Sequence, residues 1–146
     1  MKWVTWKNVG VDRMACAWLI RRFVDPKAEF LFVPEGTTAV PKGAEAFDIP
    51  EARLSHHRGH CSFHAIVKAY RLRGDAALER IARIVDEADT VQEVNVEPVA
   101  AGLDALCRGI RKTSPDDASA LRDGARLYDA LYAELGGTKP RKGRWK

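Results

Sequence analysis

The residues best suited to chemistry crowd into one short stretch. All four histidines of the chain, His56, His57, His60 and His64, fall within nine residues, with Cys61 among them. Two imidazoles spaced i and i+4, as His60 and His64 are, bind one metal ion when they share a helical face. That needs a helix beginning before residue 60. A start at Ser62, which serine as an N-cap favours, leaves His60 in a loop and fixes only His64 by helix geometry. A site also needs carboxylates or thiolates. Asp86, Glu87 and Asp89 close the next predicted helix, and Asp86 and Asp89 are i, i+3 neighbours. A short connection, Leu72 to Gly74, brings His64 beside Asp86 or Asp89. Acids in a C-terminal turn oppose the helix dipole, which favours a functional reason for them. The plainer alternative is a solvated polar loop and a charged helix end.

A second constellation lies at Gly10-Val11-Asp12-Arg13, which follows a predicted strand and opens a helix. Unpaired N–H groups and the dipole attract an anion there. Arg13, with Lys7 before it, adds charge-assisted donors, so Lys7, Asp12 and Arg13 form a candidate oxyanion site. The alternative is that Asp12 merely caps the helix and Arg13 pairs with a surface acid. No GxGxxG or Walker pattern is present, and a nucleotide cofactor is not indicated. Cys61 beside His60 and His64 invites a reactive thiol, against the commoner role of a small buried hydrophobe. Cys16 and Cys107 read as core, as do Trp3, Trp6 and Trp18. Trp145 reads as a ring available to a partner.

The elements that position these residues follow from periodicity. Trp3 to Trp6 and Ala28 to Val33 are predicted strands flanking a helix from Arg13 to Val24, with Asp12 as its N-cap. The right-handed crossover rule makes these two strands parallel. A third strand is predicted over Ala46 to Ile49. Beyond residue 60 the pattern is helical: Ser62 to Arg71, Asp75 to Ala88, Pro98 to Arg111 and Asp116 to Leu135, the last stopped by Gly136-Gly137. The predicted fold is α/β: a small, mostly parallel sheet with a strand–helix–strand unit, followed by a helical half of about four helices. Residues 1–138 form one domain.

Composition agrees. The chain has 146 residues, 46% hydrophobic and 30% charged, the balance of a soluble globular domain. No apolar run approaches the ~20 residues that span a bilayer. The N-terminus lacks the layout of a secretory signal, and three widely spaced cysteines do not suggest a disulfide framework, so a reducing cytoplasm is expected. The net charge of +4 belongs to the end of the chain: residues 139–146 carry five basic residues and no acid. The other residues hold 19 basic against 20 acidic side chains. This segment is expected to be a disordered basic tail, with a nucleic-acid or acidic-partner arm as the alternative.

Several segments carry a resemblance. Gly-Val-Asp-Arg-Met-Ala-Cys-Ala-Trp-Leu-Ile-Arg-Arg-Phe-Val-Asp-Pro (10–26), Phe-Leu-Phe-Val-Pro (30–34), Phe-Asp-Ile-Pro (47–50) and Cys-Ser-Phe-His (61–64) are similar to the ChrB-type chromate-resistance domain. So are Ile-Val-Asp-Glu-Ala-Asp-Thr (84–90), Ala-Ala-Gly-Leu-Asp-Ala (100–105) and Leu-Tyr-Asp-Ala-Leu-Tyr (127–132). The resemblance covers about residues 3–135. It implies a role in chromate resistance, with the longer members acting as chromate-responsive transcriptional regulators. On this reading the chain matches their C-terminal sensing domain, lacking the half credited with promoter binding. Three positions depart from the family pattern. Ala17 stands where proline is common, and Trp6 where an arginine often follows the threonine. His64 stands where many relatives carry an acid, and Asp86 where some carry histidine. An exchanged acid–histidine pair implies that positions 64 and 86 touch or share a ligand.

The resulting expectation is a cytoplasmic chromate-resistance protein, an oxyanion- or metal-sensing regulatory domain. A divalent metal, zinc, manganese or iron, would be held by His57, His64, Asp86 and Asp89. Chromate or a sulfate-like oxyanion would bind apart from it, at Arg13, because carboxylates repel an anion. The expected partners are this oxyanion and a separate DNA-binding protein, or nucleic acid through the tail, with no membrane. The alternative is a small metal-dependent enzyme, a hydrolase or redox protein, using the same cluster.

Overall fold

The computed structural model describes residues 1–139 and residue 145. Trp, Val and Thr suit a pleated, half-buried surface, and β1 (Lys2–Trp6) forms the middle of a three-stranded sheet. It is flanked by β2 (Glu29–Val33) and β3 (Ala44–Ala46), in the order β2-β1-β3. Both pairings are parallel, with Lys2 opposite Glu29 on one side and Ala44 on the other. The expected third strand therefore lies two residues earlier and stops sooner. Phe47 still donates its N–H to the Val4 carbonyl at 3.0 Å and bridges to Leu54 on its other side, and Asp48 then adopts a left-handed conformation (φ 51°), which turns the chain out of the sheet.

Between β1 and β2 runs α1 (Val11–Leu19), continued by a π-helical turn over Ile20–Val24. Every residue of α1 except Arg13 is buried, so this is the central helix rather than an amphipathic covering. Its N-cap is Gly10, with no side-chain cap, and the predicted role of Asp12 as cap is corrected: it stands inside the first turn. Around α1 lie α2 (Ser62–Ala69), α3 (Ala76–Asp89), α4 (Val99–Thr113) and α5 (Asp117–Glu134). The close approach of α1 to α5 depends on Gly124, where a Cβ would stand 2.9 Å from Met14 Sδ.

Trp18 joins the layers. Its ring lies 5.5 to 6.5 Å from those of Phe23, Phe63, Tyr128 and Tyr132. Such pairs contribute about 0.5–1.5 kcal/mol each beyond area burial. Its indole N–H donates to Asp129, which also pairs with Arg22 at 2.8 Å. Tyr128 donates from its hydroxyl to the Val11 carbonyl at 2.6 Å. All three cysteines are free and buried.

Two helix ends use the same device. After α5, Gly136 is left-handed (φ 82°), and the Gly136 and Gly137 N–H groups return to Ala133 and Tyr132. After α2, Arg71 takes the left-handed place (φ 57°), and Arg71 and Leu72 return to Lys68 and Val67. That motif ends α2 at Ala69, two residues before the predicted boundary. Trp145, expected to be available to a partner, stacks instead on Phe30, with centroids 5.5 Å apart and planes 7° apart. Residues 140–144 and 146, and with them most of the expected basic tail, lie outside the described residues.

Candidate functional site

The site forms around the start of α2. A helix begins with N–H groups that have no partner inside it, and these attract carboxylates. Two aspartates answer these N–H groups, and a third takes the Ser62 hydroxyl. Asp86, in the last turns of α3, accepts from the Cys61 N–H at 2.8 Å. Asp12, from α1, accepts from the Ser62 and Phe63 N–H groups at 2.8 and 3.1 Å. Asp48, from the loop after β3, accepts from the Ser62 hydroxyl at 2.7 Å. Asp12 is only 2% exposed, so the buried charge is tolerated through these bonds.

Two imidazole–carboxylate groups are built on this base. In the first, His60 Nδ1 and His64 Nε2 lie 3.0 and 2.9 Å from Asp86 Oδ2. The two rings are 4.5 Å apart. His60 sits in the loop, because α2 begins at Ser62, yet the loop still carries its ring to His64. In the second, His56 Nε2 lies 3.0 Å from Asp12 Oδ2, 3.0 Å from Asp89 Oδ2 and 3.4 Å from Asp48 Oδ1. Arg13 Nε completes it, 3.0 Å from Asp48 Oδ2.

The two groups differ in proton affinity. Hydrogen bonds to Asp12 and then Asp48 push His56 up to about 10, so it is an imidazolium at neutral pH. Burial, followed by the charges of Asp12 and Asp48, lifts Asp89 to about 7. Burial and the charge of Asp12 also raise Asp48. Burial acts to raise Asp86 too, but hydrogen bonds from His64, Cys61 and His60 outweigh it and hold that carboxyl at about 2. Cys61 is wholly buried, and burial with the charges of Asp12 and Asp86 pushes its thiol far above the ordinary range. It is not a reactive thiolate.

The sequence-derived metal set is thus divided. His64 and Asp86 touch, as the exchanged pair implied. Asp89 belongs to the His56 group, with Asp12. His57 belongs to neither. Its backbone N–H and carbonyl pair with those of His60 at 2.9 Å each, across a tight turn whose tip is Arg58 and Gly59, both left-handed. Pairing across that turn gives Asp86 to His60, and His57 stays exposed. The candidate oxyanion residues are not gathered at the α1 N-terminus either. The Arg13 charge is taken by Asp48, and its guanidinium lies over Trp6, 5.6 Å from the ring centre. The Asp12 carboxylate serves α2, and Lys7 is exposed. Asp48 and His56 are not singled out by the sequence as ligands, and His60, weighed there as an i, i+4 partner of His64, stands outside the final set of His57, His64, Asp86 and Asp89. For Asp48 the available signal was a single acid between Phe47 and Ile49 at a strand end.

A parallel three-stranded sheet, a first helix buried except at Arg13, and paired imidazole–carboxylate groups at a helix N-terminus define a small α/β domain. The family model for ChrB, C-terminal domain, matches residues 3–135, and the chain belongs to that family. It is 35% identical over 143 residues to Protein ChrB of Cupriavidus metallidurans (strain ATCC 43123 / DSM 2839 / NBRC 102507 / CH34). That match covers 97% of this chain and 42% of the relative, so the chain spans about two fifths of the relative's length. No solved structure matches. Among the described residues, no helix is long and apolar enough to cross a membrane.

Proposed function

We propose that this chain is a cytoplasmic chromate-resistance domain whose sensing centre is a divalent metal held by His60, His64 and Asp86. One observation carries the reading. Two imidazole nitrogens and a carboxylate oxygen, from a loop and two helices, all lie within 4.8 Å of one another. Two nitrogens and one oxygen suit zinc, manganese or iron, and leave room for further ligands. The group borders a cavity whose walls carry His60 and His64 together with cationic side chains. An oxyanion, chromate or a sulfate-like anion, would approach from there; the other side presents Asp12, Asp48 and Asp89. A change in metal coordination or oxyanion occupancy would be relayed to a separate DNA-binding partner.

A small metal-dependent hydrolase or redox protein is the second reading, favoured by the same opening onto a cavity, since catalytic metal sites keep a position for substrate. Elemental analysis of untagged protein, purified without chelator and then dialysed against zinc, manganese or iron, tests the centre. About one equivalent of metal is expected for a single three-ligand site. Protein that takes up none of the three ions contradicts the proposal. Steady-state turnover of a phosphoester by the loaded protein would favour the enzyme over the sensor.

A further inference from the structure

We propose that the cavity beside His60 and His64 binds a small polyanion carrying two or more phosphate-type groups, held by Arg58, Lys68, Arg73 and Arg83. The cavity measures about 940 Å³ and is lined by these four cations and a single acid, Glu79. They come from four places: the turn before α2, the last turn of α2, the α2–α3 connection and the middle of α3. Arg58, Lys68 and Arg73 are exposed, and their side chains form no ion pair or hydrogen bond with the described residues. Arg83 has only a long contact, its Nε 3.9 Å from Glu97 Oε1. Elsewhere in the fold, Arg13 and Arg22 are neutralised by aspartates at 3.0 and 2.8 Å. Four cations gathered around a concavity with one acid among them repel one another until an anion enters.

Size and wall chemistry narrow the ligand. The volume falls in the range of about 300–1,000 Å³ typical of small-molecule sites. A lone tetrahedral oxyanion carries too little charge to offset four cations, whereas a ligand with several linked phosphates matches their number. The cavity wall holds the imidazoles of His57, His60 and His64 and no Phe, Tyr or Trp among the described residues, so its recognition chemistry is that of cations meeting phosphate-type groups. Arg58 itself is held left-handed (φ 49°) beside Gly59 (φ 79°). A turn with both tip residues left-handed favours Asn-Gly, and a strained non-glycine residue at a cavity wall is a mark of ligand sites.

This inference rests on the cavity cations and needs no metal, so its test uses the chelator-treated 146-residue chain. Calorimetric titration with inorganic tripolyphosphate at constant ionic strength is expected to give one-to-one binding, about tenfold tighter than sulfate. The double variant Lys68→Ala/Arg73→Ala should weaken it about tenfold or more. Removing two exposed cations of α5, Arg122→Ala/Arg126→Ala, should leave it unchanged. No binding, equal affinity for sulfate, or equal weakening in both double variants would overturn the proposal. Failure of metal uptake leaves this result untouched, and its failure leaves the metal reading untouched.

Discussion

The His60–His64–Asp86 group and the His56–Asp12–Asp89 group share a helix start and nearly the same ingredients, yet they are in different electrostatic states. The second is internally balanced. His56 is an imidazolium lodged among three carboxylates, and Arg13 neutralises Asp48 from the other side. A metal entering there would first have to displace the proton of His56. The first group has two imidazoles for one carboxylate and borders a cationic cavity. Similar side-chain sets thus differ in kind: one joins α1, α2 and the loop after β3 through matched charges, and the other is the group to which the proposed function assigns a ligand.

The comparison is broken most directly by removing one residue from each group. Asp12→Ala deletes the acceptor for two buried N–H groups and for His56, and should cost about 3 kcal/mol or more of unfolding free energy in urea titration. His60→Ala removes a side chain that is 59% exposed and should cost less than about 1 kcal/mol. Similar losses for the two variants would erase the distinction between a structural and an available group.

The two groups should also fail at opposite ends of the pH scale. Hydrogen bonds to Asp12 and then Asp48 raise His56 from 6.5 to about 10. Its contribution is therefore complete below pH 6.5 and lost as pH rises through about 10. Asp86 is depressed from 3.8 to about 2, its hydrogen bonds overcoming burial, so its contribution holds above pH 3.8 and disappears as pH falls through about 2. Thermal melting across pH should show His56→Gln flattening the alkaline limb and Asp86→Asn the acid limb. Either variant flattening the opposite limb would reverse the assignment.

The smallest effect sharpens the comparison at the turn between the groups. Arg58→Gly relieves a left-handed arginine and should stabilise the fold by about 1 kcal/mol while weakening tripolyphosphate binding. A destabilised variant would mean that the arginine makes contacts the strain argument ignores.

Much of the fold is written locally, and the site is not. Four helices after residue 60 and the parallel strand–helix–strand unit could be read from periodicity, because each helix carries its own apolar face and its own stops. Asp75 caps α3 through Ala77 and Leu78, a contact contained in adjacent residues. Asp12 looks like the same kind of cap, but its carboxylate serves residues 50 and 51 positions further along. No local pattern carries that pairing. The choice among four neighbouring histidines depended on two left-handed residues, and the pairing they create gives Asp86 to His60 rather than His57. The short connection between α2 and α3 brought His64 near Asp86 or Asp89, and the exchanged pair in the family pattern singled out Asp86. Asp48 was hidden because a strand end is an ordinary place for an acid.

Metal stoichiometry in matched variants tests the central distinction most directly. Wild-type protein, His64→Ala and His56→Ala would be stripped with chelator, reloaded with zinc, desalted and measured by elemental analysis. The account expects about one equivalent in the wild type and in His56→Ala, and none in His64→Ala. Metal that persists without His64 and disappears without His56 would contradict it, and would place the metal in the carboxylate-rich group instead.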